Sequence, residues 1–199
     1  PDGARPLILT CEHASAAIPS GYDNLGLSPM WLDTHIARDK GCRELTETLA
    51  QKLGCTAFLA GYSRLFVDYN RRETEASLIV DESDKVIIPG NQNLSDAERK
   101  YRIENYHRPY YHAIMAKIES LRQQGVTPRI FSVHGFTPQL RGGSFRPWNA
   151  GILYVTTNAF AEKLLRGLRN LPELKVDANV PYDMRRYNTG AAAICGEDI

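Results

Sequence analysis

Apolar segments of strand length alternate with a helical pattern along the first third of the chain. Residues 7–12 are rich in apolar residues, which is typical of a central strand covered on both faces. Between Leu32 and Leu53 apolar residues recur at helical spacing, and Gly54 supplies a C-terminal stop. Two further segments are predicted as strands, 55–60 and 64–69. Together these elements predict a βαβ unit with a parallel sheet and a right-handed crossover.

The remainder of the chain predicts more strands and helices after a polar interval. Residues 73–95 are irregular and indicate a long surface loop. Ser95 and Glu98 have capping-box spacing, so a helix begins there, and Pro109 should kink it. The other predicted elements are strands at 129–134, 151–156 and 174–176 and a helix at 159–168. We therefore predict a single α/β domain over 1–199, with a mixed, largely parallel sheet flanked by helices.

Composition narrows the function to small-molecule chemistry. The chain has 199 residues with 24 Lys and Arg against 23 Asp and Glu, so its net charge of +1 creates no field that attracts nucleic acid or a membrane surface. The 4 cysteines are far apart and form no Cys-x-x-Cys pair, which favours a reducing cytoplasm over a disulfide framework. No apolar run is long enough for a membrane span, and no leader pattern is present.

Two histidines stand where apolar strands are predicted to end. His13 follows the first strand, and His134 ends the strand at 129–134. Because ligands bind outside the carboxyl ends of strands in open α/β sheets, the two side chains should meet in one crevice. Two imidazoles, a carboxylate and an open fourth position form a catalytic zinc site, and Asp33 or His35 could supply the third ligand. Any one of these histidines taken alone could equally be a capping or surface residue.

A group of basic residues brackets the predicted strand at 64–69. Arg64 precedes it, and Asn70, Arg71 and Arg72 follow it. A guanidinium beside an amide suits the bidentate recognition of a carboxylate. The alternative is a solvated basic turn in which Asp68 is a local ion-pair partner of little energetic value.

Five sequence motifs resemble, in their order, those of the N-formylglutamate amidohydrolase family. Across residues 7–155 they read CEHASAAIP, LDTH, YSRLFVDYNRR, HRPYYHAI and FSVHGF, and a fainter match continues through NVPYD at 179–183. The resemblance implies a zinc-dependent amide hydrolase. It also implies the zinc carboxypeptidase-like fold, also described as phosphorylase/hydrolase-like, in which a mixed sheet is flanked by helices.

The resemblance implies a set of zinc ligands. His13 and His134 match the family's strand-end histidines. Asp33 matches the acid of the Asp-x-His motif and is the choice for the third ligand, with His35 and Glu12 as alternatives.

It also implies residues for the substrate. Asn70 and Arg71 match the pair with which zinc carboxypeptidases and aspartoacylases bind a substrate carboxylate, and Arg64 is close enough in sequence to share that task. His112 matches the histidine of the Pro-Tyr-His block and is the expected catalytic residue. This chain carries an extra tyrosine in that block, so His107 is a second candidate.

Two departures place the chain in a divergent branch of the family. Better-known members have proline where this chain has Glu12. The family's general base is a glutamate on a late strand, which would follow Ile199, and Glu197 precedes that place. We therefore expect a chain that lacks its C-terminal strand and helix, with its general base beyond Ile199.

The expected reaction is removal of the N-formyl, or another N-acyl, group from an acidic amino acid such as N-formyl-L-glutamate. The alternatives are a carboxypeptidase-like hydrolase of other N-acyl amino acids or small peptides, and a non-catalytic relative that binds an acidic metabolite.

Overall fold

The computed structural model describes residues 5–184, which belong to two compact units, 5–135 and 136–184. The first unit contains β1 (Leu7–Cys11), α1 (Pro29–Leu32), α2 (Cys42–Leu53), β2 (Thr56–Leu59), β3 (Glu82–Ser83), β4 (Val86–Ile87), α3 (Asp96–Arg102), α4 (Arg108–Gln123) and β5 (Arg129–Ser132). The second contains β6 (Ala150–Ile152), α5 (Ala159–Arg169) and β7 (Val176–Ala178). Short 3-10 segments occupy Asp23–Gly26, Ala76–Leu78 and Pro89–Asn91.

A three-stranded parallel sheet, in the order β2-β1-β5, is the centre of the first unit. Successive residues of β1 face opposite sides of the sheet. Ile8 packs against Ile114 and Ile118 of α4, whereas Cys11 packs beside Cys42 and Leu49 of α2. Helices therefore cover both faces of β1, which explains its continuous apolar sequence. The predicted α/β class, with a parallel sheet flanked by helices, is confirmed.

The helix predicted from Leu32 begins only at Cys42. Gly54 ends it with a positive φ of 61°, as predicted, because glycine adopts this conformation without steric cost. Between α1 and α2 the chain turns at the carboxyl end of β1, where the backbone N–H of Asp39 donates to the carbonyl of His13 at 3.0 Å. This bond attaches the segment before α2 to the end of the central strand.

The strand predicted at 64–69 is a turn. Ser63 Oγ accepts the N–H of Leu65 at 3.2 Å, and the Ser63 carbonyl accepts that of Phe66 at 2.9 Å. Leu65, Phe66 and Val67 are nevertheless almost fully buried. A short buried apolar run has the same sequence signature in a turn as in a strand, and periodicity alone cannot separate them.

The interval predicted as a surface loop, 73–95, contributes to the core. It contains the antiparallel β3–β4 hairpin, and Leu78 and Ile88 are fully buried. Ser95 caps α3 as predicted, since its Oγ accepts the N–H of Glu98. A π-helical turn, Ile103–His107, joins α3 to α4 just before Pro109, which lacks the N–H that a regular α-helix needs.

The second unit contains a two-stranded parallel sheet of β6 and β7 beside α5. The strand predicted at 151–156 is thus shorter and pairs only with β7 among the described residues. The predicted helix at 159–168 is confirmed within one residue, and Asn158 caps it by accepting the N–H of Ala161 at 2.9 Å. The single domain expected over 1–199 stays a prediction. Within residues 5–184, no helix has the length and apolar character needed to span a membrane.

Candidate active site

Three side-chain atoms converge at the carboxyl ends of β1 and β5. His13 Nδ1 lies 3.2 Å from His134 Nδ1, and each of these nitrogens lies 3.3 Å from Asp39 Oδ2. The three atoms thus form a nearly equilateral triangle. Its sides match the distance between ligand atoms in a tetrahedral zinc site, about 3.3–3.4 Å for zinc–nitrogen bonds of about 2.0–2.1 Å. His13, Asp39 and His134 can hold a metal ion.

The other ring nitrogen of each histidine lies against a buried carboxylate. His13 Nε2 is 2.7 Å from Asp68 Oδ1, and His134 Nε2 is 3.0 Å from Glu12 Oε2. Histidines that bind metals commonly donate the distal N–H to a carboxylate, which fixes the tautomer and the ring orientation. Both histidines have a carboxylate beside the distal nitrogen here, as a hydrogen bond for His13 and as an ion pair for His134.

The contacts of His13 assign its tautomer. Arg64 Nη1 lies 3.3 Å from His13 Nδ1, and a guanidinium only donates hydrogen bonds. Asp39 Oδ2, which only accepts, lies at the same distance from Nδ1, so the shorter contact of Nε2 with Asp68 decides in favour of a proton on Nε2. With this tautomer, the triangle brings together lone pairs of His13 and Asp39 that repel one another unless a cation lies among them.

The buried charges of the site also favour a cation. Glu12, Asp39 and Asp68 have relative exposures of 0%, 8% and 4%, so all three carboxylates are buried. Arg64, whose Nη2 lies 3.0 Å from Asp68 Oδ2, balances one of them, and the other two are balanced either by protons on the histidines or by a bound cation. Buried charge of this size is costly unless it is compensated, and a divalent cation supplies the required charge.

The pKa values of the site respond to the same charges. Burial acts to raise the pKa of Asp39, but hydrogen bonds and ion pairs with His13 and His134 outweigh it and lower the pKa well below its usual range. Burial acts to lower the pKa of His134, but Asp39 and Glu12 raise it to about 10. A nitrogen whose proton is stabilised in this way lies in a strongly cation-attracting environment.

Asp68 joins the histidines to the predicted carboxylate-binding arginines. Its Oδ1 accepts from His13 Nε2 and from the backbone N–H of Asn70 at 2.8 Å. Its Oδ2 lies 3.0 Å from Arg64 Nη2 and 3.8 Å from Arg71 Nε. Burial acts to raise the pKa of Asp68, whereas Arg64 and His13 lower it well below its usual range. Asp68 is thus a buried anion between the His13 imidazole and the Arg64 guanidinium, and not the exposed ion-pair partner of a basic turn.

The structure does not bring Asp33, the predicted third metal ligand, to the two histidines. Its side chain is 68% exposed and contacts Arg38 and Lys40 at 3.3 Å and 3.1 Å. Asp39 lies beside the histidines instead, since the backbone turns between Asp33 and α2 and carries Asp39 to the end of β1. Gly135 N donates to Asp39 Oδ2 at 2.8 Å and helps to orient it.

The alternative ligands lie elsewhere. His35 is exposed, and its Nε2 is 3.0 Å from Asp84 Oδ2. Glu12 is fully buried and lies on the far side of His134, against Nε2 instead of the converging Nδ1.

The two candidate catalytic histidines are in different environments. His112 is exposed on α4. Arg108 lowers the pKa of Glu73, and the charge of His112 contributes to this effect. His107 is buried and donates from Nε2 to the carbonyl of Arg71 at 2.9 Å. His107 therefore positions the backbone of the predicted carboxylate-binding pair. The catalytic assignment of His112 stays a prediction, and Glu197 lies outside the described residues.

Sequence reasoning missed Asp39 and the role of Asp68. Asp39 lies in none of the five motifs, and the apolar spacing places it inside a helix that in fact begins at Cys42. The helix-breaking Gly41 directly after Lys40 was the available signal, since it allows a turn before α2.

Comparison with known proteins agrees with this fold. A sequence model of the family N-formylglutamate amidohydrolase matches residues 5–194. The crystal structure of a gene product from Agrobacterium tumefaciens is similar, with a TM-score of 0.81 and 33% identity over 91% of this chain and 71% of that chain. The crystal structure of N-formylglutamate amidohydrolase from Ralstonia eutropha shares the fold, with a TM-score of 0.71 and 21% identity over 97% of this chain and 79% of that chain. No curated protein matches significantly. The chain belongs to the N-formylglutamate amidohydrolase family.

Proposed function

We propose that the protein is a zinc-dependent hydrolase that removes the N-formyl group from an acidic amino acid, with N-formyl-L-glutamate as the first substrate to test. The triangle of His13 Nδ1, His134 Nδ1 and Asp39 Oδ2 is the observation that carries this proposal. Three protein ligands with an open fourth position are the composition of catalytic rather than structural zinc sites. Family membership supports amide hydrolysis as the reaction.

The donor set supports zinc over a harder cation. Imidazole nitrogens suit zinc, whereas magnesium and calcium prefer oxygen ligands alone. When bound, zinc lowers the pKa of a coordinated water to about 7 and polarises the amide carbonyl. The protein's own contribution is to hold His13 and His134 rigidly at the ends of two paired strands, each with its distal nitrogen against a carboxylate.

Arg64 and Arg71 are proposed to bind the substrate's carboxylates. Arg64 keeps one amino group on Asp68, while the other lies 3.3 Å from His13 Nδ1, at the edge of the cluster. Arg71 is 30% exposed, and its ion-pair distances to Asp68 and Glu75 are long, 3.8 Å and 3.9 Å. Two guanidinium groups beside the cluster match a dicarboxylic substrate, and fixing its position contributes to catalysis through orientation.

The reducing cytoplasm is the proposed location. Cys11, Cys42 and Cys55 are free and buried in the structure, which suits a compartment that keeps thiols reduced.

Formate release from N-formyl-L-glutamate tests the proposal. The purified protein should hydrolyse this substrate, lose the activity on removal of metal by a chelator, and regain it with one equivalent of zinc. N-formyl-L-glutamine serves as the matched control, because it lacks only the side-chain carboxylate, and should react at least about tenfold more slowly. Full activity in the metal-free protein would refute zinc dependence, and equal rates for the two substrates would refute acidic specificity.

A further inference from the structure

The register of the central sheet brings Glu12 to His134. β1 and β5 are parallel, and Thr10 lies opposite Ser132, with their hydroxyl oxygens 2.7 Å apart. Two residues further along each chain, on the same face, are Glu12 and His134. Glu12 and His134 lie just beyond the ends of β1 at Cys11 and β5 at Ser132, so their contact directly follows the last polar pair of the sheet.

Glu12 is a buried anion with a single close counter-group. It is fully buried, and its Oε2 lies 3.0 Å from His134 Nε2. Among residues 5–184, neither Glu12 oxygen has a hydrogen-bond partner in good geometry. A buried carboxylate left in this condition is costly, and such groups are found where function requires them.

Glu12 cannot act as the base for a water in the crevice. It approaches the nitrogen of His134 that faces away from Asp39 and His13, and it has no exposed surface. Any effect on the reaction must pass through the imidazole ring. Glu12 is therefore not a general base, and a positioning role remains for it.

We propose that Glu12 is a positioning residue for the metal: it fixes the Nε2–H tautomer of His134 and, through its charge, makes His134 Nδ1 a stronger ligand. The inference rests on the proposed function, because it presumes that His134 binds zinc. Asp68 has the corresponding position behind His13.

A graded series of substitutions, read by zinc affinity, tests the proposal. Glu12→Gln keeps an acceptor oxygen and loses the charge, whereas Glu12→Leu keeps only the volume. Competition with a chromophoric chelator should show zinc binding weakened about tenfold in Glu12→Gln and about 100-fold in Glu12→Leu, the range found when such carboxylate partners are removed. Glu47→Gln, the same change at an exposed glutamate, is the matched control and should bind zinc as the wild type does.

Zinc affinity, rather than stability, separates positioning from a structural role. Replacing a whole buried ion pair by apolar residues is often neutral or stabilising, whereas removing one partner leaves the other charge uncompensated and destabilises the fold. Glu12→Leu should therefore lower the melting temperature whichever role Glu12 has, and zinc affinity, measured on the folded variant, is the readout that separates the two roles. If zinc affinity is unchanged in both folded variants, the proposal is overturned, and Glu12 is structural.

A measurement on the wild type keeps the test decisive even if both variants fail to fold. Long-range proton–nitrogen NMR of the zinc-loaded protein should show the Nε2 proton of His134 shifted downfield by the neighbouring Glu12 carboxylate. An Nε2 proton at the position usual for a solvated imidazole would overturn the proposal. Failure of the wild type to bind zinc would instead refute the proposed function, so the two failures are distinguishable.

Discussion

His13 Nε2 lies 2.7 Å from Asp68 Oδ1, the shortest contact between a histidine and a carboxylate among the described residues. Both side chains are buried, and Asp68 also holds Arg64. One carboxylate thus orients a predicted metal ligand and a predicted substrate-binding group. Asp68 therefore connects the predicted metal site to the predicted substrate-binding site.

Asp68→Asn should weaken both functions of the site. The amide keeps one acceptor oxygen, which cannot serve His13, Asn70 and Arg64 together. We expect zinc affinity to fall about 10–100-fold, as for other carboxylates that orient a metal-bound histidine. Chelator competition measures this effect, and a zinc affinity equal to that of the wild type would contradict it.

Asp39→Asn and Asp33→Asn form a matched pair that tests the third ligand. Asp39 lies 3.3 Å from both converging nitrogens, so the neutral amide should reduce bound zinc to well below one equivalent. Asp33 is exposed and paired with lysine and arginine, so its variant should keep a full equivalent. Elemental analysis after dialysis gives the ratios. The reverse result would restore Asp33 as the ligand.

Arg71→Lys should impair recognition of the substrate's carboxylate. A lysine has no planar fork, and loss of one charge-assisted hydrogen bond of about 1.5–3 kcal/mol predicts a decrease in kcat/KM of at least about tenfold for an acidic N-acyl amino acid. Zinc content should not change. Arg72→Lys is the control, because Arg72 is exposed and adjacent, and it should retain wild-type kinetics. Equal kinetics in both variants would assign Arg71 to a solvated turn.

Arg102→Met should destabilise the first unit strongly. Arg102 is 1% exposed, and its Nη1 donates to the carbonyl of Phe66 and to Asn91 Oδ1, so its loss leaves buried acceptors unpaired. We expect a decrease of about 3–5 kcal/mol in the free energy of unfolding, measured by urea denaturation. Lys100→Met, on the exposed side of the same helix, should change it by less than about 0.5 kcal/mol. Similar values for the two variants would show that the Arg102 network contributes little.

Elements with a strong local signal could be predicted from the sequence. The central strand, the second strand and the βαβ arrangement follow from apolar runs and a glycine stop, and α5 follows from its amphipathic pattern. His13 and His134 meet because the carboxyl ends of neighbouring parallel strands lie at one edge of the sheet. That inference needed only strand order and direction.

The features that the sequence did not predict depend on contacts between residues far apart in the chain. Leu65 and Phe66 are as apolar as a strand, but the hydrogen bonds of Ser63 fold them into a turn. Asp33 lies in a motif and Asp39 does not, but a backbone hydrogen bond to His13, which no local pattern predicts, brings Asp39 to the end of β1. Asp68 looked like a surface ion-pair partner, because burial cannot be deduced from a neighbouring arginine alone.

Anomalous diffraction at the zinc absorption edge, from crystals of the zinc-loaded protein, tests whether His13, Asp39 and His134 bind zinc. We predict one strong peak within about 2.0–2.1 Å of His13 Nδ1 and His134 Nδ1 and about 2.0–2.2 Å from Asp39 Oδ2. Zinc bound through the Nε2 atoms, zinc located away from His13, Asp39 and His134, or no peak in the crevice would contradict it.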